Sequence, residues 1–449
     1  MRVLLVATNR MTTPFPVYPL GVDHVATALR QRHDVRVIDR GMSGSDGDLI
    51  GALADFHPEI VGLSIRNIDD TDAETSLSFV PEIEQLVAVV RANSGAKVVL
   101  GGPGYSLFPA ELLERTGADW GVLGEGEWVA GLIDAIQNGA GTEGLPGIVH
   151  RGHPAPEPAI WPGPWAREIG PKPIVAHYLC HGGILNIQTK RGCPFRCSYC
   201  TYPLIEGREL RAFDPDRVAD EWVNLVDAGA KFIFVTDAVF NSDVRHNLDV
   251  AGALSRRNVR VPWGAFFTPI RPAPGYYEAL CEVGLTHVEF GTDSLSPQML
   301  SSYAKPFTPD DAVQAHAAAR GAGAYVAHYL TLGGSGETLE TAKETLDRCE
   351  ALEGVSALFF FCGVRIYPAT PLFDAACRQG QASPSESLLE PRFYHSPGAP
   401  PDALRELVKE QAKGRASWIV GSTDEAMARI IKRMHARGAV GPLWERIIP

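Results

Sequence analysis

Short, continuous apolar runs recur along most of this chain, each separated from the next by a stretch with helical spacing. An apolar run without polar alternation is buried on both faces. That is the mark of a parallel strand covered by helices. In the first 140 residues the runs are Val3–Ala7, Val35–Ile38, Ile60–Ser64, Val98–Leu100 and Trp120–Leu123. They predict an α/β fold that begins with a doubly wound, Rossmann-like sheet over residues 1–150. Such sheets bind ligands at the C-terminal ends of their strands. Seven prolines between Gly152 and Pro173 mark a linker, residues 151–175. A second alternation follows, with strands expected at Ile184–Thr189, Lys231–Thr236, Val261–Thr268, Thr286–Gly291, Tyr325–Leu332 and Leu358–Ile366. Six such units predict a partial (β/α)6 barrel over 176–370, with its site at the C-terminal strand ends. Residues 371–449 read as a small, mostly helical C-terminal region.

Composition narrows the function. With 449 residues, 45% of them apolar, the chain can bury more than one core. Its net charge is −12 and it carries no run of Lys or Arg, so nucleic acid is not an expected partner. No apolar run approaches the ~18 residues that cross a bilayer, so no transmembrane segment is expected. The segment Met1–Arg10 has only a short apolar core and no small-residue cleavage site; it reads as a first strand and not as a signal peptide. The eight cysteines are therefore expected in a reducing cytoplasm, where clustered cysteines favour metal binding over disulfides.

Three of those cysteines stand together in Cys193-Pro-Phe-Arg-Cys197-Ser-Tyr-Cys200. Three thiolates suit a soft metal centre. Structural zinc takes four ligands, and no second CxxC or HxxxH lies nearby. Three cysteines can instead hold three irons of a [4Fe–4S] cube and leave the fourth open. The loop follows the first barrel strand, where a catalytic centre is expected.

The segment Thr189–Cys200 resembles the radical S-adenosylmethionine (SAM) superfamily. The resemblance implies that Cys193, Cys197 and Cys200 bind a [4Fe–4S] cluster and that SAM chelates its unique iron. It also implies reductive cleavage of SAM to a 5′-deoxyadenosyl radical, with an electron donor of flavodoxin or ferredoxin type. The family places the aromatic before the last cysteine, here Tyr199, against the adenine. Further SAM contacts are carried over to Asp237, Glu289, Asp293, Ser294, Gly333, Gly334 and Arg365 at the ends of later strands.

A doubly wound domain upstream of such a barrel resembles the cobalamin (B12)-binding class of the superfamily. The loops after its strands supply the expected contacts: Thr8, Asn9 and Tyr18; Ser64, Arg66 and Asn67; Gly101 and Gly102; Gly124, Glu125 and Glu127. The Asp-x-His-x-x-Gly motif of domains that ligate cobalt from below is missing, since Asp23 and His24 are adjacent. The resemblance implies a cobalamin-dependent C-methyltransferase that acts on an unactivated carbon of a small molecule, a natural product or a lipid. The same parts also serve cyclisation, ring rearrangement or other C–C bond formation without methyl transfer. RNA modification by a methylthiotransferase fits less well, because that class needs more cysteines upstream and none precedes Cys180. A cobalamin carrier or sensor is a non-enzymatic alternative, disfavoured by the intact cysteine triad with Tyr199.

Overall fold

The computed structural model describes residues 1–12, 15–42, 45–165, 167–169, 172–421 and 425–446. Two parallel sheets, each wrapped by helices, follow one another along the chain. The first contains β1 (Arg2–Ala7), β2 (Asp34–Asp39), β3 (Ile60–Ser64), β4 (Lys97–Gly101), β5 (Trp120–Val122) and β6 (Ile148–His150), in the order β2-β1-β3-β4-β5-β6. All pairs are parallel except β5 with β6, an antiparallel edge that the apolar pattern did not reveal. The strand order reverses direction between β1 and β3. A crevice opens at such a switch point, because the two flanking loops leave toward opposite faces of the sheet. Both faces are packed: Val3, Leu5 and Ala7 against Val22, Ala26 and Leu29 on one side, Leu4 and Val6 with Leu49 and Leu53 on the other.

The second sheet contains β7 (Ile184–Ile187), β8 (Phe232–Val235), β9 (Trp263–Phe267), β10 (Leu285–Asp293), β11 (Tyr325–Leu332), β12 (Ala357–Cys362) and β13 (Trp418–Val420), in that order and all parallel. The region beyond residue 371 is thus helical over Pro371–Arg378, Pro401–Ala412 and Glu425–Ala436, but it also adds a seventh strand. The outer face of the sheet packs on helices through Trp222, Val250, Leu254, Tyr277 and Ala319. Burying a side chain of this size stabilises the fold by about 1.5–3 kcal/mol. Helix starts are fixed by short polar side chains: Asp214, Asp243, Thr308, Thr338 and Thr370 each accept a hydrogen bond from the backbone of the first turn.

The two sheets are joined by buried polar contacts. Tyr178 donates to Asp39 at 2.7 Å, and the Asn186 amide donates to the Tyr18 carbonyl at 2.8 Å. Arg167 sits between Asp23 and Glu221, at 3.6 and 3.3 Å. The C-terminal ends of both sheets carry the loops described next. Among the described residues no helix is long and apolar enough to cross a membrane.

Candidate active site

The cysteine loop begins from a buried anchor. Asp237, after β8, accepts from the Thr189 amide at 2.7 Å and the Thr189 hydroxyl at 2.6 Å, and it pairs with the Lys190 ammonium at 2.8 Å. Lys190 is 1% exposed and also reaches Asn247 at 3.3 Å. Asp237, expected to contact SAM, therefore holds the root of the loop. Gly192 comes next, with φ +90; a Cβ there would lie 2.0 Å from the Glu209 carbonyl, so only glycine fits. Glu206 accepts from the Gly192 amide at 3.1 Å and from Gln188 at 2.9 Å.

Arg191 ties this loop to the first domain. Its guanidinium meets Glu127 at 2.7 Å and Glu125 at 3.1 Å, and Arg211 also meets Glu125 at 2.9 Å. These four side chains are at most 10% exposed. The carboxylates read as cobalamin contacts are thus engaged by the barrel's arginines. Removing one partner of such a buried group leaves an uncompensated charge and costs about 3–5 kcal/mol.

On the other side of the cysteines, Tyr199 donates to Asp293, and Asp293 pairs with Lys305. Asp293 has φ 59, at an irregularity where the register with β11 shifts between Gly291 and Asp293. A bulge of this kind re-aims a side chain off the regular pleat. Lys305 also donates to the Tyr199 hydroxyl at 3.2 Å, and it faces the Cys197 thiol. No spacing in the sequence marks Lys305; it follows a six-residue helix, Pro297–Ser302. Tyr303 lies edge-on to Tyr199 at 5.6 Å, and its hydroxyl accepts from the Gly334 amide at 3.2 Å. A Cβ on Gly334 would meet the Tyr303 ring at 2.2 Å, so the glycine at this position admits Tyr303. Glu337 accepts from the Gly333 amide at 3.3 Å, and burial raises its carboxyl pKa to about 7.

Three further positions read as SAM contacts have partners within the protein. Ser294 is fully buried and shares a hydrogen bond with Thr345 at 2.7 Å. Glu289 accepts from Tyr329 at 2.9 Å and from the Trp444 indole at 3.0 Å. Arg365 pairs with Asp69 of the first domain at 2.9 Å and donates to the Ile366 and Leu388 carbonyls. Its fork is filled, because the backbone acceptors and Asp69 converge on it.

All three thiols are free, and burial raises each of them, that of Cys200 up to about 12. A soft metal removes that cost by taking the thiolate form. Among the described residues no three His, Cys, Asp or Glu side chains converge as a single-ion site requires. A cubane cluster places each cysteine on a different iron and needs no such convergence. The donor set therefore fits an iron–sulfur cluster.

The crevice of the first domain differs from the cysteine loop in its open polar groups. The Thr8 hydroxyl donates to the Ser64 carbonyl at 3.0 Å, which ties the end of β1 to the end of β3. Asn9 accepts from the Met11 amide, and the Tyr18 hydroxyl donates to the buried Asp23 at 2.5 Å, so neither side chain is free. Gly102 has φ +97 and a Cβ there would lie 2.6 Å from the Ile65 carbonyl; Gly124 has φ +74. Gly101 has only Val122 near it, at 3.8 Å. Arg66 remains exposed although protein surrounds it; desolvation lowers its pKa, and the Tyr202 and Tyr178 hydroxyls oppose that shift. Asn67 holds a buried side-chain oxygen without a hydrogen-bond partner. An orphaned acceptor, an open guanidinium and close-approach glycines fit a large polar cofactor with amide side chains, such as cobalamin.

Comparison with known proteins agrees with both halves. Residues 8–132 match the family model for the B12 binding domain, and residues 187–349 match that of the radical SAM superfamily. An uncharacterized methyltransferase of Pyrococcus horikoshii is 27% identical over 373 residues, covering 80% of this chain and 78% of the relative. The tryptophan 2-C-methyltransferase of Streptomyces laurentii is 25% identical over 438 residues, covering 81% and 73%. In fold, the chain is similar to the radical SAM methyltransferase TsrM from Kitasatospora setae with cobalamin and a [4Fe–4S] cluster bound. The TM-score is 0.88 at 23% identity, over 99% of this chain and 97% of that one. With a B12-binding domain followed by a radical SAM barrel, the chain belongs to the cobalamin-binding radical SAM enzymes.

Proposed function

We propose that this protein is a cobalamin-dependent radical SAM methyltransferase that acts on an unactivated carbon of a small molecule. One observation carries the reading: the buried Arg191–Glu125–Glu127 group fastens the cysteine loop to the loop after β5 of the first domain, which in this reading brings the cluster and cobalamin to one chamber. The relatives named as methyltransferases span most of the chain and support the same reaction.

In this reading Cys193, Cys197 and Cys200 hold the cluster, and SAM lies against Tyr199 and the glycine turn at Gly333 and Gly334. When bound, the cofactors supply the electron, the adenosyl radical and the methyl group; the chain supplies placement and exclusion of water. Asp293 and Lys305 fix the Tyr199 ring beside the cysteines. Arg66, Asn67, Gly101, Gly102 and Gly124 face cobalamin across the switch-point crevice. An electron donor of flavodoxin or ferredoxin type completes the system.

The test uses anaerobically reconstituted protein and SAM carrying a deuterated methyl group. The methyltransferase reading predicts that the label moves to bound cobalamin. With a small-molecule extract of the producing cells, it then predicts a product heavier by one labelled methyl group. Loss of hydrogen without a mass gain points to cyclisation instead. Absence of label on cobalamin contradicts methyl transfer.

A further inference from the structure

The two faces of the second sheet are treated differently. Ile233, Val235, Ala265, Phe267, Val288 and Phe290 pack into the helix-covered core. Side chains alternate along a strand, so Phe234, Phe266, Glu289 and Tyr329 lie on the opposite, concave face. Toward the N-terminal strand ends this face is closed by the end of the chain. Trp444 is 5% exposed and donates to Glu289, and Glu445 pairs with His287 at 3.1 Å.

Beside Glu289 it is open. Phe266 lies on the third of seven strands, yet 40% of its surface is accessible. Its ring is 5.2 Å from Phe234 and 6.1 Å from Tyr329. Tyr329 stacks on Phe359 at 4.9 Å and 13°, and its hydroxyl is held by Glu289. Four residues beyond Glu289 on the same strand, Asp293 meets Tyr199 beside the cysteines. The aromatic surface therefore surrounds Glu289, four residues before the Tyr199 contact on β10.

We propose that Phe266 and Tyr329 form a wall that grips a planar aromatic group of the substrate. The proposal rests on the methyltransferase reading and names the substrate class of that site. A large apolar side chain on an inner strand is normally covered, and no described part of this chain covers Phe266. Offset-stacked and edge-to-face rings gain more than their buried area alone provides, so the wall favours an aromatic over an aliphatic ring. Tyr329 is fixed from behind by Phe359 and from its hydroxyl by Glu289, so little freedom is lost on binding. Glu289 acts here as a positioning residue.

The test measures binding of indole and of cyclohexanol to the reconstituted holoenzyme by anaerobic calorimetry, with and without SAM. Indole is expected to bind about tenfold more tightly than cyclohexanol, and Phe266→Ala is expected to weaken indole about tenfold while Phe266→Tyr retains it. An unchanged cobalamin spectrum shows that a variant is folded; should Phe266→Ala lose it, Phe266→Leu, which keeps bulk without the ring, gives the decision. Equal affinity for the two probes, or unchanged indole binding without the ring, overturns the proposal. Displacement of indole by SAM also overturns it, because the wall would then hold the adenosyl group. Label transfer from SAM to cobalamin needs no probe, so failure of the methyltransferase reading is seen separately.

Discussion

Two patches flank the cysteine loop, and both are rich in polar side chains. On one side Arg191, Glu125, Glu127, Lys190 and Asp237 are buried and each is ion-paired, with Arg211 reaching Glu125 from the edge. On the other, Arg66 is open, Asn67 has an orphaned oxygen and Tyr202 is 41% exposed. The difference separates scaffold from binding surface. Charges that neutralise one another across the domain boundary fix where the cofactors sit, and polar groups left without partners are the ones available to a ligand.

The sharpest way to break this comparison is to exchange the roles. Replacing Cys193, Cys197 or Cys200 with Ala is expected to abolish bound iron and product together, read by iron analysis and mass spectrometry. Arg191→Met leaves the buried Glu127 carboxylate uncompensated, while Arg211 still meets Glu125, and is expected to lower stability by about 3–5 kcal/mol in denaturant unfolding. Arg66→Met is expected to change stability by no more than about 0.5 kcal/mol, yet to weaken cobalamin binding measurably by spectral titration. Equal stability losses for the two arginine variants would erase the distinction.

A titrating group sharpens the comparison at the SAM side. Glu337 is fully buried, and its carboxyl is raised to about 7 from 4.5. The folded state then holds its proton more tightly than the unfolded chain. Its contribution is fully present below about pH 4.5 and is lost as pH rises to about 7, by roughly 3 kcal/mol. Glu337→Gln is expected to remove that slope in unfolding measured across this window. The smallest effect is expected from Asn67→Ala. It should weaken cobalamin by about 1 kcal/mol and leave stability unchanged, because its oxygen has no partner within the protein.

The strands were legible because a run buried on both faces leaves an unbroken apolar signature, as in Val3–Ala7 and Phe232–Val235. The antiparallel edge at Ile148–His150 and the strand Trp418–Val420 were not, because three-residue edge strands carry too little periodicity. The cysteine loop was legible from spacing alone. The protein partners of Glu125, Glu127, Asp237 and Arg365 were not. These partners lie far away in sequence, as Asp69 does from Arg365, and local pattern holds no record of such pairing. Lys305 and Trp444 were missed for the same reason: each reaches the site only through tertiary packing.

The most direct test of a shared chamber is electron paramagnetic resonance of protein loaded with both cob(II)alamin and the reduced cluster. Cofactors that share one chamber are predicted to split or broaden each other's signals relative to singly loaded protein. A spectrum equal to the simple sum of the two separate signals would contradict the account.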